Sequence, residues 1–471
     1  MAASDSLSDY FGFDGHDTDL RTEVLAGLTT FLTMSYIVVV NPGILVGIEG
    51  EKPGIIVPGL SYGETVQAVA VVTIIAAFVA TIVMALYANR PFAQAPGLGL
   101  NAFFAFTVVG ALGVAWQTAL AAVVVEGVIF ILLTVAGARR YIIEAFPEPV
   151  KFAVGAGIGA FLAIIGLEEM RVVVADPATY VTLGAVASDP VAVVSVVGLF
   201  FTFALYARGI RGSILIGILA TSAAGYAVAA SGLVGSEAAG ALRGNLGAGA
   251  SYDITPLAGA FLTGLGSIEA FSFALIVFTF FFVDFFDTAG TLTGVGQAGG
   301  FLDEDGDLPE IEKPLMADAV GTTVGGALGT STVTTYIESA TGVEEGGRTG
   351  MTALVVALLF LASLAIVPLA AAIPLYASHI ALVVVAVIML RNLVDVQWDD
   401  VTHAIPAGMT VLIMPFTFNI GYGIAAGIIS YPIVKAATGE ANEVSMAQWA
   451  LALAFVVYFV VRTGGFLSAN V

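Results

Sequence analysis

The sequence predicts an all-α polytopic membrane protein of about fourteen spans, built as two seven-span halves of opposite orientation. Three observations carry this. Of 471 residues, 58% are hydrophobic and only 11% charged, whereas a soluble domain carries about a quarter charged residues. A soluble core of this length could not hide so much apolar surface, so lipid must solvate much of it. Apolar runs near the ~20 residues that cross a bilayer recur along the chain. The cations, finally, fall almost entirely on one side of the threading that these runs define.

The runs are 22–44, 66–88, 94–112, 116–137, 150–168, 190–208, 212–231, 268–292, 314–329, 331–345, 350–370, 374–391, 404–419 and 421–437. With the N-terminus cytoplasmic, eleven Lys and Arg residues, from Arg21 to Lys435, lie inside, and only Lys52, Arg171 and Arg243 lie outside. That is the asymmetry of a correctly threaded multi-pass protein of the cell membrane. The expected division is 1–231, the first half with its tail; 232–267, an external and mobile connecting loop; 268–437, the second half; and 438–471, an apolar segment that spans or lies on the membrane. Residues 1–20 are polar and acidic, without a basic region followed by an apolar one, so no cleavable signal is expected there. Gly is abundant, at 55 residues, as closely packed membrane helices require. The chain has no Cys and three His, which leaves no thiolate metal site and little for a His-based one; no metal or cofactor is expected. The net charge of −21 sits mostly in loops and the N-terminal tail, and reads as adaptation to a salty, halophilic habitat and not as a nucleic-acid signal.

Two spans are interrupted. The third begins AQAPGLGLNAFFAF and the tenth reads GTSTVTTYIESATGVEEGG, so neither is a continuous lipid-facing helix. They hold the same place in each half. Paired interruptions of this kind point to a transporter's binding site, because irregular backbone at membrane depth must line a cavity or be buried in protein. They are expected to form short strands and half-helices.

A carboxylate at bilayer depth costs at least ~2.5–3.5 kcal/mol. Five are candidates: Glu126, Asp284, Asp287, Asp318 and Glu338. Asp284 and Asp287 share a helix face at i,i+3. Two neighbouring carboxylates repel when both are ionised, so such a pair can hold the exchangeable proton that coupling needs. Glu338, in the interrupted tenth span beside Tyr336 and Ser339, can accept two N–H bonds from a planar heterocycle. Asn101, with the adjacent Ala102 and Phe103, follows the Gly-rich entry of the third span, where its amide can donate and accept. Phe103, Phe104 and Phe106 could stack on a base, Phe103 being the one carried forward, although phenylalanine in membrane helices is mostly packing. Glu126 is expected to be structural, paired with a hydroxyl or backbone group, and Asp318 lies near a cytoplasmic end. GVGQAGG (294–300) has G-x-G-x-x-G spacing but follows a membrane helix, so it is no dinucleotide loop. DEDGD (303–307) has its Gly misplaced for a calcium loop, and His403 reads as interfacial.

RTEVLAGLTTFLTMSYIVVVNPGIL (21–45), APGLGLNAFFAFTVVGALGVAWQTALAAV (95–123), FFFVDFFDTAGTLTGV (280–295) and above all GTSTVTTYIESATGVEEGGRTG (329–350) closely resemble the AzgA-like purine permeases of the nucleobase:cation symporter-2 group. The resemblance runs from about 18 to 437. It implies seven plus seven inverted spans with a core and a gate domain, and proton symport of adenine, guanine or hypoxanthine. By matching motif position it implies substrate binding at Asn101, Asp284 and Glu338, support or coupling from Asp287, and base contact by the Tyr336 backbone. GLEEMR (166–171) and THAIP (402–406) depart from the family pattern at span ends, where gating is decided. The expected partners are a purine base, H⁺, membrane lipid and a second copy in a homodimer, with no nucleic acid.

An anion transporter of the same fold is the alternative, but it would need a cation at the site, and the third, eighth and tenth spans contain no Arg or Lys. A membrane-embedded enzyme would need a nucleophile–base pair or metal cluster, and neither HExxH nor GxSxG occurs. The topology has a direct test. Cysteine introduced at Ser251 in this Cys-free chain should react with an impermeant maleimide in intact cells; labelling only after lysis would reject the assignment.

Overall fold

The computed structural model describes residues 2–137, 145–244, 249–267, 270–303 and 308–463. Arg139, Arg140 and residues 304–307 of the DEDGD loop, read above from sequence, lie outside them. Among the described residues, ten helices are long and apolar enough to cross a membrane. The other four predicted spans are shorter: Leu98–Ala111, Glu312–Leu328, Val401–Thr417, and a strand with a half-helix over 333–344. Each of the fourteen predicted segments therefore has a structural counterpart. The apolar C-terminal segment is a helix, Met446–Thr463.

Local chemistry explains where these helices begin. Asp19 accepts the Thr22 N–H at 2.8 Å to open helix α1 (Leu20–Met34). Ser61 and Glu64 form a reciprocal capping box at the start of α2 (Tyr62–Val83). Asp189 caps α3 (Pro190–Ala207), with Pro190 in the first turn. The glycine-rich run 294–299 continues a helix, α4 (Ala270–Gly299), and is not a loop.

The chain divides into two units, residues 1–135 with 165–384, and residues 136–164 with 385–471. In the smaller unit, Val401–Thr417 and Ile420–Ala437 form an antiparallel pair that meets at glycine: a Cβ on Gly423 would lie 2.3 Å from Met414 Cγ, and one on Gly427 2.0 Å from Thr410 Oγ1. Phe161 packs edge-on against Phe418, ring centroids 5.9 Å apart. Lys435 is held by Glu440 at 2.7 Å and Glu443 at 2.8 Å.

In the larger unit, α5 (Trp116–Val135) lies against α6 (Glu312–Leu328). A Cβ on Gly127 would fall 2.5 Å from Thr323 Oγ1 and 2.7 Å from its backbone N, and one on Gly326 would meet Val123 and Val124 at 2.9 Å. Small residues are what let membrane helices come this close. Buried Asn41 ties three segments together, donating to Thr73 at 2.6 Å and Thr330 at 2.9 Å.

Two features lie outside the sequence expectations. Residues 173–183 form a hairpin of strands Val173–Asp176 and Tyr180–Leu183, turned by Asp176 Oδ1 accepting from Ala178 and Thr179 N–H. The described parts of 232–267 take hydrogen-bond partners from the helices. Gln67 binds both Gly249 O and Ser251 N, Tyr376 donates to Leu242 O at 3.1 Å, and Gly259 N donates to Ala327 O at 2.8 Å. A Gly- and Ala-rich stretch of chain has few polar side chains to satisfy its backbone, so partners from the helices supply part of what it needs.

Gly127→Leu should force α5 and α6 apart and lower the thermal stability of the purified protein by about 1–3 kcal/mol. Gly290→Ala, with open space around its Cβ position, should change little. Equal melting of the two variants would show that the helix contact contributes nothing.

Candidate functional site

The two interruptions meet. Strand β1 (Gln94–Pro96) pairs antiparallel with β2 (Val333–Thr335), in the register Gln94↔Thr335, Ala95↔Thr334, Pro96↔Val333. Flanking bonds extend the pair: Tyr336 N to Ala93 O, and Gly97 N to Thr332 O, both 3.0 Å. The outward edges are met by one threonine each. Thr81, in the second span, accepts from Gln94 N and donates to Gln94 O, both 3.0 Å. Thr322, in the ninth span, accepts from Val333 N at 3.1 Å and donates to Val333 O at 2.9 Å. Segments seven spans apart thus make the same bracket on strands that run oppositely, as inverted halves require. Gly97 must be glycine here, because a Cβ would lie 2.7 Å from Thr334 Cγ2.

From β1 the chain enters the half-helix Leu98–Ala102, which widens into i→i+5 turns over Phe103–Ala111. Such turns recur at functional sites. Asn101, at the last turn of the half-helix, is fully buried; its Nδ2 reaches Pro96 O at 3.5 Å, and its Oδ1 has no donor. The same carbonyl accepts the Tyr336 hydroxyl at 2.6 Å. Ala102 and Phe103 are buried, with Phe103 edge-on to Phe280 at 5.0 Å. Ser339 is buried and accepts from Ala93 N at 3.0 Å. Glu338 sits at the break between strand and half-helix, is partly accessible, and accepts the Tyr36 hydroxyl at 2.7 Å.

Helix α4 carries its carboxylates past this junction. Asp287 is partly accessible and accepts from Thr334 at 3.4 Å. Asp284 is fully buried, within hydrogen-bonding reach of both Glu126 on α5 and Asp318 on α6. Glu126 therefore does not have the expected hydroxyl or backbone partner: its nearest group is another carboxyl, brought there by the close α5–α6 contact at Gly127. Asp318 accepts from Thr288 at 2.7 Å and from Gln94 Nε2 at 3.3 Å. So Glu338, Asp287 and Tyr336 lie at the strand junction, Asn101 and Asp284 lie behind it under full cover, and Ala102, Phe103 and Ser339 are packed into its walls. Gln94, Thr288, Thr334 and Tyr36 join the site without having been singled out in the sequence. Their signal there was only a polar residue at mid-span depth.

A separate cavity of about 560 Å³ is lined by Lys52, Arg171 and Arg243, the three cations that the charge count puts outside, together with Glu51, Glu169 and Tyr62. Burial pushes the Lys52 ammonium down to about 8, partly opposed by Glu169. Neither Glu338 nor Asp284 reaches this cavity.

With this geometry in view, the comparisons decide the family. The model described as "Permease family", that of xanthine/uracil permeases, matches residues 21–430. The chain belongs to the xanthine/uracil permease family. It is a multi-pass membrane transporter and not an enzyme. A permease of Methanocaldococcus jannaschii is 44% identical, over 97% of this chain and 98% of that one. An adenine permease of Escherichia coli is 38% identical, over 96% of each chain. A guanine/hypoxanthine permease of Bacillus subtilis is 38% identical, over 95% of this chain and 99% of its own. Among solved structures, the transmembrane domain of a cyanobacterial bicarbonate transporter superposes with a TM-score of 0.59 at 14% identity, covering 87% of this chain and 97% of that one. That likeness is one of fold.

Proposed function

We propose that this permease imports purine bases, of the adenine, guanine and hypoxanthine class, by symport with protons across the cell membrane, its N-terminus cytoplasmic. The observation that carries the reading is Glu338. It is a partly accessible carboxylate at the junction of two broken spans, oriented by the Tyr36 hydroxyl. An accessible carboxylate edge suits the adjacent N–H donors of a purine. The adenine and guanine/hypoxanthine permeases among the relatives support the substrate class. Asn101, with Ala102 and Phe103, Tyr336 and Ser339 shape the base site, and Asp287 supports it. Contact between the base and buried Asn101 or Asp284 requires the site to open, which alternating access supplies.

Protons are the coupling ion in this reading because Glu126, Asp284 and Asp318 are adjacent and fully buried. Three ionised carboxylates could not stay together without a cation, and a shared proton resolves the repulsion. A carrier for bicarbonate or another anion fits this carboxylate-lined junction poorly, and the bicarbonate transporter's likeness extends to the fold alone.

Glu338→Gln should abolish detectable purine binding in purified, monodisperse protein. Gln presents a donor to a ligand N–H and leaves it unpaired, which costs on the order of 1–3 kcal/mol, or about tenfold and more in affinity. Near-normal affinity would remove Glu338 from the site. In proteoliposomes, an inside-alkaline pH gradient without Na⁺ should drive purine accumulation. Accumulation that follows only a Na⁺ gradient would overturn proton coupling.

A further inference from the structure

We propose that Thr288 and Thr334 form a two-hydroxyl proton wire between the buried carboxyl cluster and Asp287 at the base site. The inference rests on the proton-symport reading above and adds a route to it. The links are Asp318 Oδ1 to Thr288 Oγ1 at 2.7 Å, Thr288 Oγ1 to Thr334 Oγ1 at 2.7 Å, and Thr334 Oγ1 to Asp287 Oδ2 at 3.4 Å. Each hydroxyl carries one hydrogen, and an ionised carboxylate carries none. Two hydrogens serve three links. The third hydrogen comes from a carboxyl at one end, so the chain is complete only when Asp318 or Asp287 is protonated.

The two arrangements are related by a hop of one hydrogen across each of the three links, and turning both hydroxyls then resets the wire. With the proton on Asp287, that carboxyl donates to Thr334, Thr334 to Thr288, and Thr288 to Asp318. With the proton on Asp318, every donor reverses. Passage from one to the other shifts each hydrogen by one link. One proton leaves Asp287, one arrives at Asp318, and both threonines remain neutral hydroxyls with their hydrogens pointing the other way. No heavy atom need move.

Beyond Asp318 the proton has somewhere to go. Asp284 lies within reach of Asp318 on one side and Glu126 on the other. Both carboxyl oxygens of Glu126, Oδ1 of Asp284 and Oδ2 of Asp318 are buried and receive no donor from hydroxyl, amide or backbone. Buried acceptors are normally satisfied, and protons shared among the three carboxyls do it here. The titratable groups on the elements packed against α5 are Asp284 and Asp287 on α4 and Glu312, Lys313 and Asp318 on α6, and of these Asp284 and Asp318 act on Glu126; residues 98–111 and 260–264 contribute none. Among the described residues no group of three or more His, Asp or Glu is arranged to hold a metal ion.

The contrast with Glu23 sharpens the point. That carboxylate is equally buried, yet it accepts from the backbone N–H of Arg348 at 2.9 Å and of Thr352 at 3.1 Å, so both of its oxygens have donors.

Thr288→Val, which keeps the shape and deletes the hydroxyl, is the test, with Thr288→Ser as the variant that restores it. In proteoliposomes, wild type and T288S should accumulate labelled hypoxanthine under an inside-alkaline gradient. T288V should lose at least tenfold of that accumulation after normalisation to its own hypoxanthine binding in detergent. Accumulation by T288V equal to wild type overturns the wire, and so does T288S failing as badly as T288V, since packing and not the hydroxyl would then matter. Should T288V not purify as a monodisperse protein, Thr334→Val against Thr334→Ser reads the second link in the same way. Wild-type protein that binds no hypoxanthine overturns the substrate reading instead. Wild-type protein that binds it but ignores the pH gradient overturns proton coupling, and the wire with it.

Discussion

The constraint on which the rest depends is the backbone of two broken spans. Residues 94–96 and 333–335 leave the helix at a depth where water cannot satisfy them, and an unpaired N–H or C=O there costs several kcal/mol. Each segment supplies the other's partners through an antiparallel pair, and Thr81 and Thr322 close the two outer edges. Neither half can hold its own interruption. The pairing fixes the third span against the tenth, and it sets Glu338, Tyr336 and Thr334 at one junction. The Gly97 contact with Thr334 is part of the same constraint, since any side chain there would separate the strands.

A second principle sorts the buried carboxylates. Burial alone does not mark function. Glu23 is satisfied by backbone donors at the start of the helix Gly350–Ala362, a structural role. Glu338 has a hydroxyl partner and an open side. Among Glu126, Asp284 and Asp318, both Glu126 oxygens and one oxygen of each Asp have no hydroxyl, amide or backbone donor and lie among carboxyls instead. Carboxylates in the membrane-depth interior thus acquire different chemistry from their donors. The α5–α6 contact at Gly127 and Gly326 produces the third case, because it brings Glu126 up to a cluster that would otherwise hold two acids.

The sequence by itself determined the number and order of the apolar segments, the two that break, and the carboxylates at membrane depth. These are properties of local composition: about 20 apolar residues make a span, glycine, proline and threonine break one, and a charge in an apolar run is conspicuous. The motif at 329–350 was specific enough to imply the family that the comparisons show. Tertiary structure alone decided who meets whom. Tyr36 and Glu338 are 302 residues apart, and Thr288 and Thr334 are 46; no periodicity or spacing relates them. The same is true of Glu126, whose partner was misjudged because helix-to-helix approach is set by glycines on two different elements. It is true again of Leu242, Gly249 and Ser251, whose backbone partners are Tyr376 and Gln67 on distant helices. Span positions follow from the free energy of moving side chains into lipid, which each segment settles alone, whereas hydrogen-bond partners depend on which segments pack together.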